Sequence, residues 1–290
     1  MPDVEIKPQQ YRDPRPPEHF APYHARVRAG EPEAHVYEIV RTLTVLHALI
    51  TFRARGIGSE NVPIGPVILA PNHASFMDHF FTGAFVRRRI QFMAKSQLFS
   101  SPIPTYIFSH GGVFPVRRGA HDDEAFISAF KILERGGAIG MYCEGGRSRN
   151  GEVGAEARPG IGRLALESGA PVVPVAILGS HQVRNWKRGR FPKVVVQYGE
   201  PFAFEPVKES TRVQQQAVAD EILARIQRMH AEMTELGARQ TCRVLAERSR
   251  QRQAARLEGS ADVTSGGAAG FEHGRAGAQA RPERDRVRSG

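Results

Sequence analysis

Between about residues 61 and 205 short apolar runs alternate with stretches of helical periodicity, and this alternation restricts the fold more than any other feature. The runs lie at 67–70, 90–94, 112–116, 138–143, 172–178 and 194–198, and residues 122–134 and 160–168 between them carry helical patterns. Runs this short, apolar almost throughout, suit strands covered on both faces, and intervening helices supply the covers. The expected class is therefore α/β: a single catalytic domain with a mixed sheet flanked by helices, preceded by an amphipathic N-terminal helix.

The flanks read differently. Residues 1–30 are Pro-rich and mixed in charge, which predicts a flexible arm. Residues 31–60 contain Val36, Ile39, Val40, Leu43, Leu46, Leu49 and Ile50 at mostly three- and four-residue spacing, with Arg41, Arg53 and Arg55 among or after them. That spacing predicts an amphipathic helix, either packed on the core or lying in a membrane interface. Residues 61–236 would form the catalytic domain, closed by a helix over 211–235. Residues 237–290 are rich in Arg, Gly and Ala and predict a basic, mostly disordered tail.

A formal charge of +10 favours anionic partners without choosing between lipid, phosphorylated ligand and nucleic acid. Few aromatic residues accompany the C-terminal arginines, which argues against stacking on single-stranded nucleic acid. The two cysteines, Cys143 and Cys242, form neither a disulfide framework nor a metal-ligand spacing. The opening residues lack the apolar core of a signal peptide, and no run of 18 apolar residues occurs. The expectation is a reducing compartment and peripheral attachment at the cytoplasmic face of a membrane.

Chemistry concentrates just past strand-like runs, where α/β sheets usually bind ligands. The block Pro71-Asn72-His73-Ala74-Ser75-Phe76-Met77-Asp78 follows the first run. An imidazole is suited to taking a proton from a hydroxyl, and a carboxylate on its other nitrogen would fix its tautomer. On a continuous helix the two side chains would stand about 140° apart, so they meet only if the chain turns between them. A capped loop is the plain alternative, and Ser75 is read as a helix cap. Arg117, with Arg118 beside it, ends the run at 112–116. Glu144-Gly145-Gly146-Arg147-Ser148-Arg149 follows the run at 138–143. Arginines at strand ends with nearby glycines suit a phosphate, although each alone reads as a surface charge. The stretch Val172-Val173-Pro174-Val175-Ala176-Ile177 says only that a strand is buried.

Taken in order, these four blocks resemble the lysophosphatidate acyltransferase family of glycerolipid acyltransferases, over roughly residues 61–205, and Met93-Ala94-Lys95-Ser96-Gln97-Leu98-Phe99 is similar to that family as well. The resemblance implies that an acyl group passes from acyl-CoA or acyl carrier protein to the sn-2 hydroxyl of 1-acyl-glycerol-3-phosphate, giving phosphatidic acid. It implies His73 as the catalytic base with Asp78 as its partner. It implies Arg117, Glu144, Gly145 and Arg147 at the substrate phosphate. Lys95 would lie near the oxyanion, and Val173 and Pro174 would lie on the acyl or acyl-donor side. No metal and no cofactor is implied, the acyl carrier being a co-substrate. The implied partners are a lysolipid acceptor, an acyl donor and an anionic membrane surface, with no nucleic acid. The family's third block usually reads E-G-T-R-S, so Gly146 stands where threonine is common and opens the question of which acceptor fits.

Two other patterns are set aside. Gly160-Ile161-Gly162-Arg163-Leu164-Ala165 fits a dinucleotide fingerprint, but no strand precedes it and no acidic residue follows at the required distance. No G-x-S-x-G block of a serine hydrolase occurs. A basic non-enzymatic binding protein is the competing class.

Overall fold

The computed structural model describes residues 13–117, 122–148, 150–183, 189 and 191–266. Arg118, Arg149 and residues 267–290 of the expected tail lie outside the described residues. The chain divides into two compact units, residues 1–247 and 248–290. The first holds a seven-stranded sheet. Its strands are β1 (Arg55–Ile57), β2 (Val67–Pro71), β3 (Ile90–Lys95), β4 (Val113–Val116), β5 (Ala138–Gly140), β6 (Val172–Leu178) and β7 (Val195–Tyr198). Their spatial order is β1-β7-β6-β2-β5-β3-β4. Only the β6/β7 pair is antiparallel, so the sheet is mixed, as its sequence suggests.

The helices are α1 (Ala21–Ala29), α2 (Ala34–Phe52), α3 (Asp78–Ala84), α4 (Pro102–His110), α5 (Asp123–Glu134), α6 (Gly160–Ser168) and α7 (Arg212–Gly266), the last interrupted by non-helical backbone at Gly237. Along β2, Ile68 and Ala70 face a core that includes Val27, Ile132, Leu164 and Ile222, from α1, α5, α6 and α7. Val67 and Leu69 face the opposite core, with Phe52 and Phe81 from α2 and α3. Side chains alternate across a strand, so an apolar run covered on both faces yields this three-layer arrangement. Helix α6 approaches α7 backbone to backbone: a Cβ at Gly162 would lie 1.9 Å from the Gln215 carbonyl oxygen. Its glycine thus serves helix packing, and the dinucleotide pattern has no nucleotide meaning here.

Three expectations change. Residues 17–29 are helical, with Phe20 and Val27 buried and Arg15 donating to the Ser96 carbonyl, so the described part of the expected arm is folded onto the domain. Its proline pattern marks helix starts, because Pro17 and Pro22 occupy first-turn positions where no N–H is needed. Strand β1 lies before residue 61 yet pairs with β7, so a domain boundary at 60/61 would cut the sheet. The helix past residue 237 continues to Gly266, where Ala, Arg and Gln favour helix over coil.

Helix α2 packs on the core by one face and leaves an apolar face exposed. Ala48 and Phe52 are buried, whereas Ile39, Leu43, Leu46, Leu49 and Ile50 are exposed, Leu43 at 64% and Ile50 at 78%. Neighbouring α4 adds exposed Ile103 and Tyr106. Among the described residues no helix is long and apolar enough to cross a membrane.

Candidate active site

Because β2, β3, β4 and β5 run parallel, their C-terminal ends share one edge, and the loops after them bring together segments distant in sequence. The loop after β2 turns over residues 72–77 before α3 begins at Asp78. That turn closes the angle that a continuous helix would leave open. His73 Nδ1 lies 2.9 Å from Asp78 Oδ2. The Ala74 and Ser75 N–H groups donate to the same oxygen at 2.7 and 2.6 Å. Asp78 is fully buried, and three convergent contacts hold it in one orientation. With Nδ1–H donating to Asp78, Nε2 is left as the basic nitrogen. Ser75 is not the helix cap expected of it: the cap position is Met77, whose N–H donates to the Ser75 hydroxyl at 3.2 Å inside the turn.

The other blocks brace this loop. Asn72 is buried and sits against β6, accepting from the Ile177 N–H at 2.7 Å and donating to the Ile177 carbonyl at 3.1 Å. Val173 and Pro174 are buried in β6 itself, in register with Leu69 and Ala70. They line none of the cavities described below, and the strand forms the platform for the His73 loop. Glu144 braces the same loop. One of its oxygens accepts the His73 N–H and the other the Gly154 N–H, both at 2.7 Å. The Ser148 N–H donates back to the His73 carbonyl at 2.8 Å. A carboxylate so engaged ties two loops together and would repel a phosphate placed beside it. Burial raises the Glu144 pKa, the two N–H donors lower it, and nearby Asp78 raises it. Gly145 has φ +65°, and a Cβ there would also press on the Arg158 side chain at 2.7 Å, so the tight turn needs glycine.

A cavity of about 100 Å³ opens beside His73, walled by Phe92, Met93, Phe108 and Val113, with Lys95 and Arg147 also on its lining. A second space shares His79, Phe92, Phe108 and Val113 with it and reaches Tyr37, Val40 and Thr44 on α2. A third, of about 500 Å³, is lined by Glu144, Gly145, Gly146, Arg158 and Arg212. A Cβ at Gly146 would meet nothing within 4 Å, so the missing threonine leaves open room. Arg117 lines none of the three. Its N–H donates to Asp122 at 2.6 Å, and its Nε is buried with no hydrogen-bond partner among the described residues. The expected convergence of Arg117 and Arg147 on one pocket is not seen.

Sequence reasoning passed over Tyr142 and the burial of His79. The Tyr142 ring stacks on His73, with centroids 3.9 Å apart and planes 21° from parallel. Its signal was an aromatic side chain two positions before Glu144. The other, His79, is held down to about 4 by burial, with repulsion from His73 adding and Asp78 opposing. It is neutral at neutral pH, whereas in the unfolded chain it takes a proton near 6.5. Stability from this source is complete above about pH 6.5 and is lost as pH falls towards 4. His24, His181 and His230 are lowered by burial too and act with the same sign. Urea midpoints should therefore fall between pH 7 and 5, less steeply in His79→Gln. Parallel slopes for the two proteins would count against this account.

Residues 53–178 match the model of the Acyltransferase family. This segment is similar to that family. A chloroplastic 1-acyl-sn-glycerol-3-phosphate acyltransferase of Brassica napus is 28% identical over 132 residues, covering 43% of this chain and 37% of that protein. A protein of the same description from Borreliella burgdorferi is 30% identical, covering 43% and 50%. The aligned part spans half or less of these relatives. A crystal structure of the 1-acyl-sn-glycerophosphate acyltransferase of Thermotoga maritima superposes with a TM-score of 0.54 at 22% identity, covering 75% of this chain and 89% of that one. The chain thus shares that fold, and the segment matched by the family model contains the His73–Asp78 pair, Lys95, Arg117 and the Glu144–Arg147 loop.

Proposed function

We propose that this chain transfers a fatty acyl group from a thioester, acyl-CoA or acyl carrier protein, to the sn-2 hydroxyl of 1-acyl-glycerol-3-phosphate, giving phosphatidic acid for phospholipid synthesis. The observation that carries this reading is the buried Asp78 carboxylate fixing the His73 ring at 2.9 Å beside an apolar cavity. His73 Nε2 takes the proton of the acceptor hydroxyl as its oxygen attacks the thioester carbonyl. Asp78 stabilises the imidazolium so formed. When the tetrahedral intermediate collapses, the C–S bond breaks and the thiolate, a good leaving group, recovers that proton. The apolar walls receive the acyl chain. Arg147 and Lys95 supply positive charge at the same cavity, Arg147 for the acceptor's phosphate and Lys95 towards the reacting carbonyl. The residues at work are all side chains of this chain, with no cofactor assigned a part.

The test is an acceptor screen with the purified full chain, labelled acyl-CoA or acyl carrier protein, and a panel of lysolipids. Labelled phosphatidic acid from 1-acyl-glycerol-3-phosphate is the expected product. Absence of acyl transfer from either donor to every lysolipid would reject the reading.

We also place the protein peripherally at the cytoplasmic face of a membrane, on the strength of the apolar outer face shared by α2 and α4. Such a patch on a soluble surface is uncommon without a partner, and apolar side chains entering the headgroup boundary each favour binding. The triple change Ile39→Ser, Leu43→Ser and Ile50→Ser should weaken binding to vesicles containing anionic lipid at least tenfold while leaving the circular dichroism spectrum unchanged. Binding equal to the unaltered protein would remove α2 as the anchor.

A further inference from the structure

Two cavities meet at the His73 loop, and their linings share only Met93 and Tyr142. One cavity reaches His73, Lys95 and Arg147; the other holds Gly146, Arg158 and Arg212. Of the two shared residues, Tyr142 alone carries a hydrogen-bond donor. Its hydroxyl is buried and has no hydrogen-bond partner among the described residues. A buried unpaired hydroxyl is destabilising, and phenylalanine would fill the same volume without that penalty. Its persistence beside a histidine ring calls for a partner that arrives from outside the protein. Burial also keeps the phenol protonated well above its ordinary range, with Asp78 and Glu144 adding to the effect, so it acts as a donor.

We infer that the Tyr142 hydroxyl donates a hydrogen bond to the oxyanion of the tetrahedral intermediate, which makes Tyr142 a catalytic residue of the acyl transfer. This rests on the proposed function. In that reaction the thioester carbonyl and the acceptor hydroxyl both reach the cavity beside His73, where Arg147 also lies. Their new C–O bond forms at the shared wall, and the carbonyl π electrons move onto oxygen there. A neutral donor aimed at that oxygen strengthens its bond as charge develops, and it needs no proton transfer of its own. Stacking on His73 sets the phenol's position by the same ring that sets the base. Lys95, at the end of β3, supplies the long-range charge, and Tyr142 the short-range bond.

The experiment compares Tyr142→Phe with the unaltered full chain in the labelled acyl-CoA assay. The ring and its stack remain, so only the hydroxyl is removed. The expected result is a loss of about 10²–10³ in kcat with both KM values nearly unchanged. The melting temperature should be unchanged or higher, because an unsatisfied buried group has gone. A merely structural tyrosine would instead lower the melting temperature. A kcat within threefold of the original, or a loss confined to acceptor KM, would overturn the assignment. If the unaltered chain transferred no acyl group at all, the proposed function would fall first, and the assignment with it.

Discussion

Replacing His73 with alanine should lower acyl transfer by about 10²–10⁴ in kcat, the contribution usual for a positioned general base. The fold should survive, because the His73 side chain is at the surface of a cavity and the loop is held by backbone groups: the His73 N–H on Glu144 and the His73 carbonyl under Ser148. Asp78→Asn should cost a comparable factor for a different reason. Asp78 Oδ2 accepts from His73 Nδ1 and from two N–H groups, and a neutral amide can neither favour the same tautomer as firmly nor balance an imidazolium. Because Asp78 is fully buried, that variant should also lose some stability. Single-turnover measurements with saturating acyl-CoA, after circular dichroism confirms folding, check both. A folded His73→Ala protein with near-normal turnover would end the mechanism.

Glu144→Ala should be the most disruptive single change in the loops. It leaves the His73 and Gly154 N–H groups without their acceptors, at about 1–3 kcal/mol for each donor left buried. At about 2–4 °C per kcal/mol for a domain of this size, the melting temperature should drop by roughly 5–20 °C. Activity should fall further than stability alone explains, since the base is no longer seated. Glu144→Gln keeps one carbonyl acceptor and should recover part of both losses. Calorimetry and the transfer assay together test this. A Glu144→Ala protein of unaltered stability but raised acceptor KM would return Glu144 to the phosphate site.

What the sequence made legible was what periodicity and adjacency encode. The runs at 67–70 and 172–178 read as buried strands because their neighbours on both faces are apolar, and they are β2 and β6. The His73–Asp78 pair was readable because both residues lie in one short block, and only the turn between them had to be supplied. Strand β1 escaped notice because Arg55-Gly56-Ile57 has too little apolar content, and its pairing with β7 is set by an edge of the sheet and not by its own pattern. Helix α1 was hidden by its proline-rich surroundings, where composition suggested an arm. The surroundings of Glu144, Val173 and Pro174 were not legible for a related reason. A residue's place in a block says that it is near the chemistry, but not whether it faces the ligand or braces the loop behind it. Burial and hydrogen-bond partners decide that, and both arise from contacts across the sheet. Arg117 and Arg147 show the same limit, being alike in sequence context and different in surroundings.

The bond between the His73 N–H and Glu144 joins residues 71 apart in the chain, whereas His73 and Asp78 are only five apart. Local contacts form early and cheaply in a folding chain, while a contact of long sequence separation waits for loop closure. The acid–base pair can therefore meet transiently in a short fragment, yet its seat exists only when β2 and β5 are already side by side. Competence for chemistry then appears late and all at once during folding, together with the sheet. Partly folded chains emerging from synthesis would carry every residue of the first block and still be unable to hold an acyl acceptor in line.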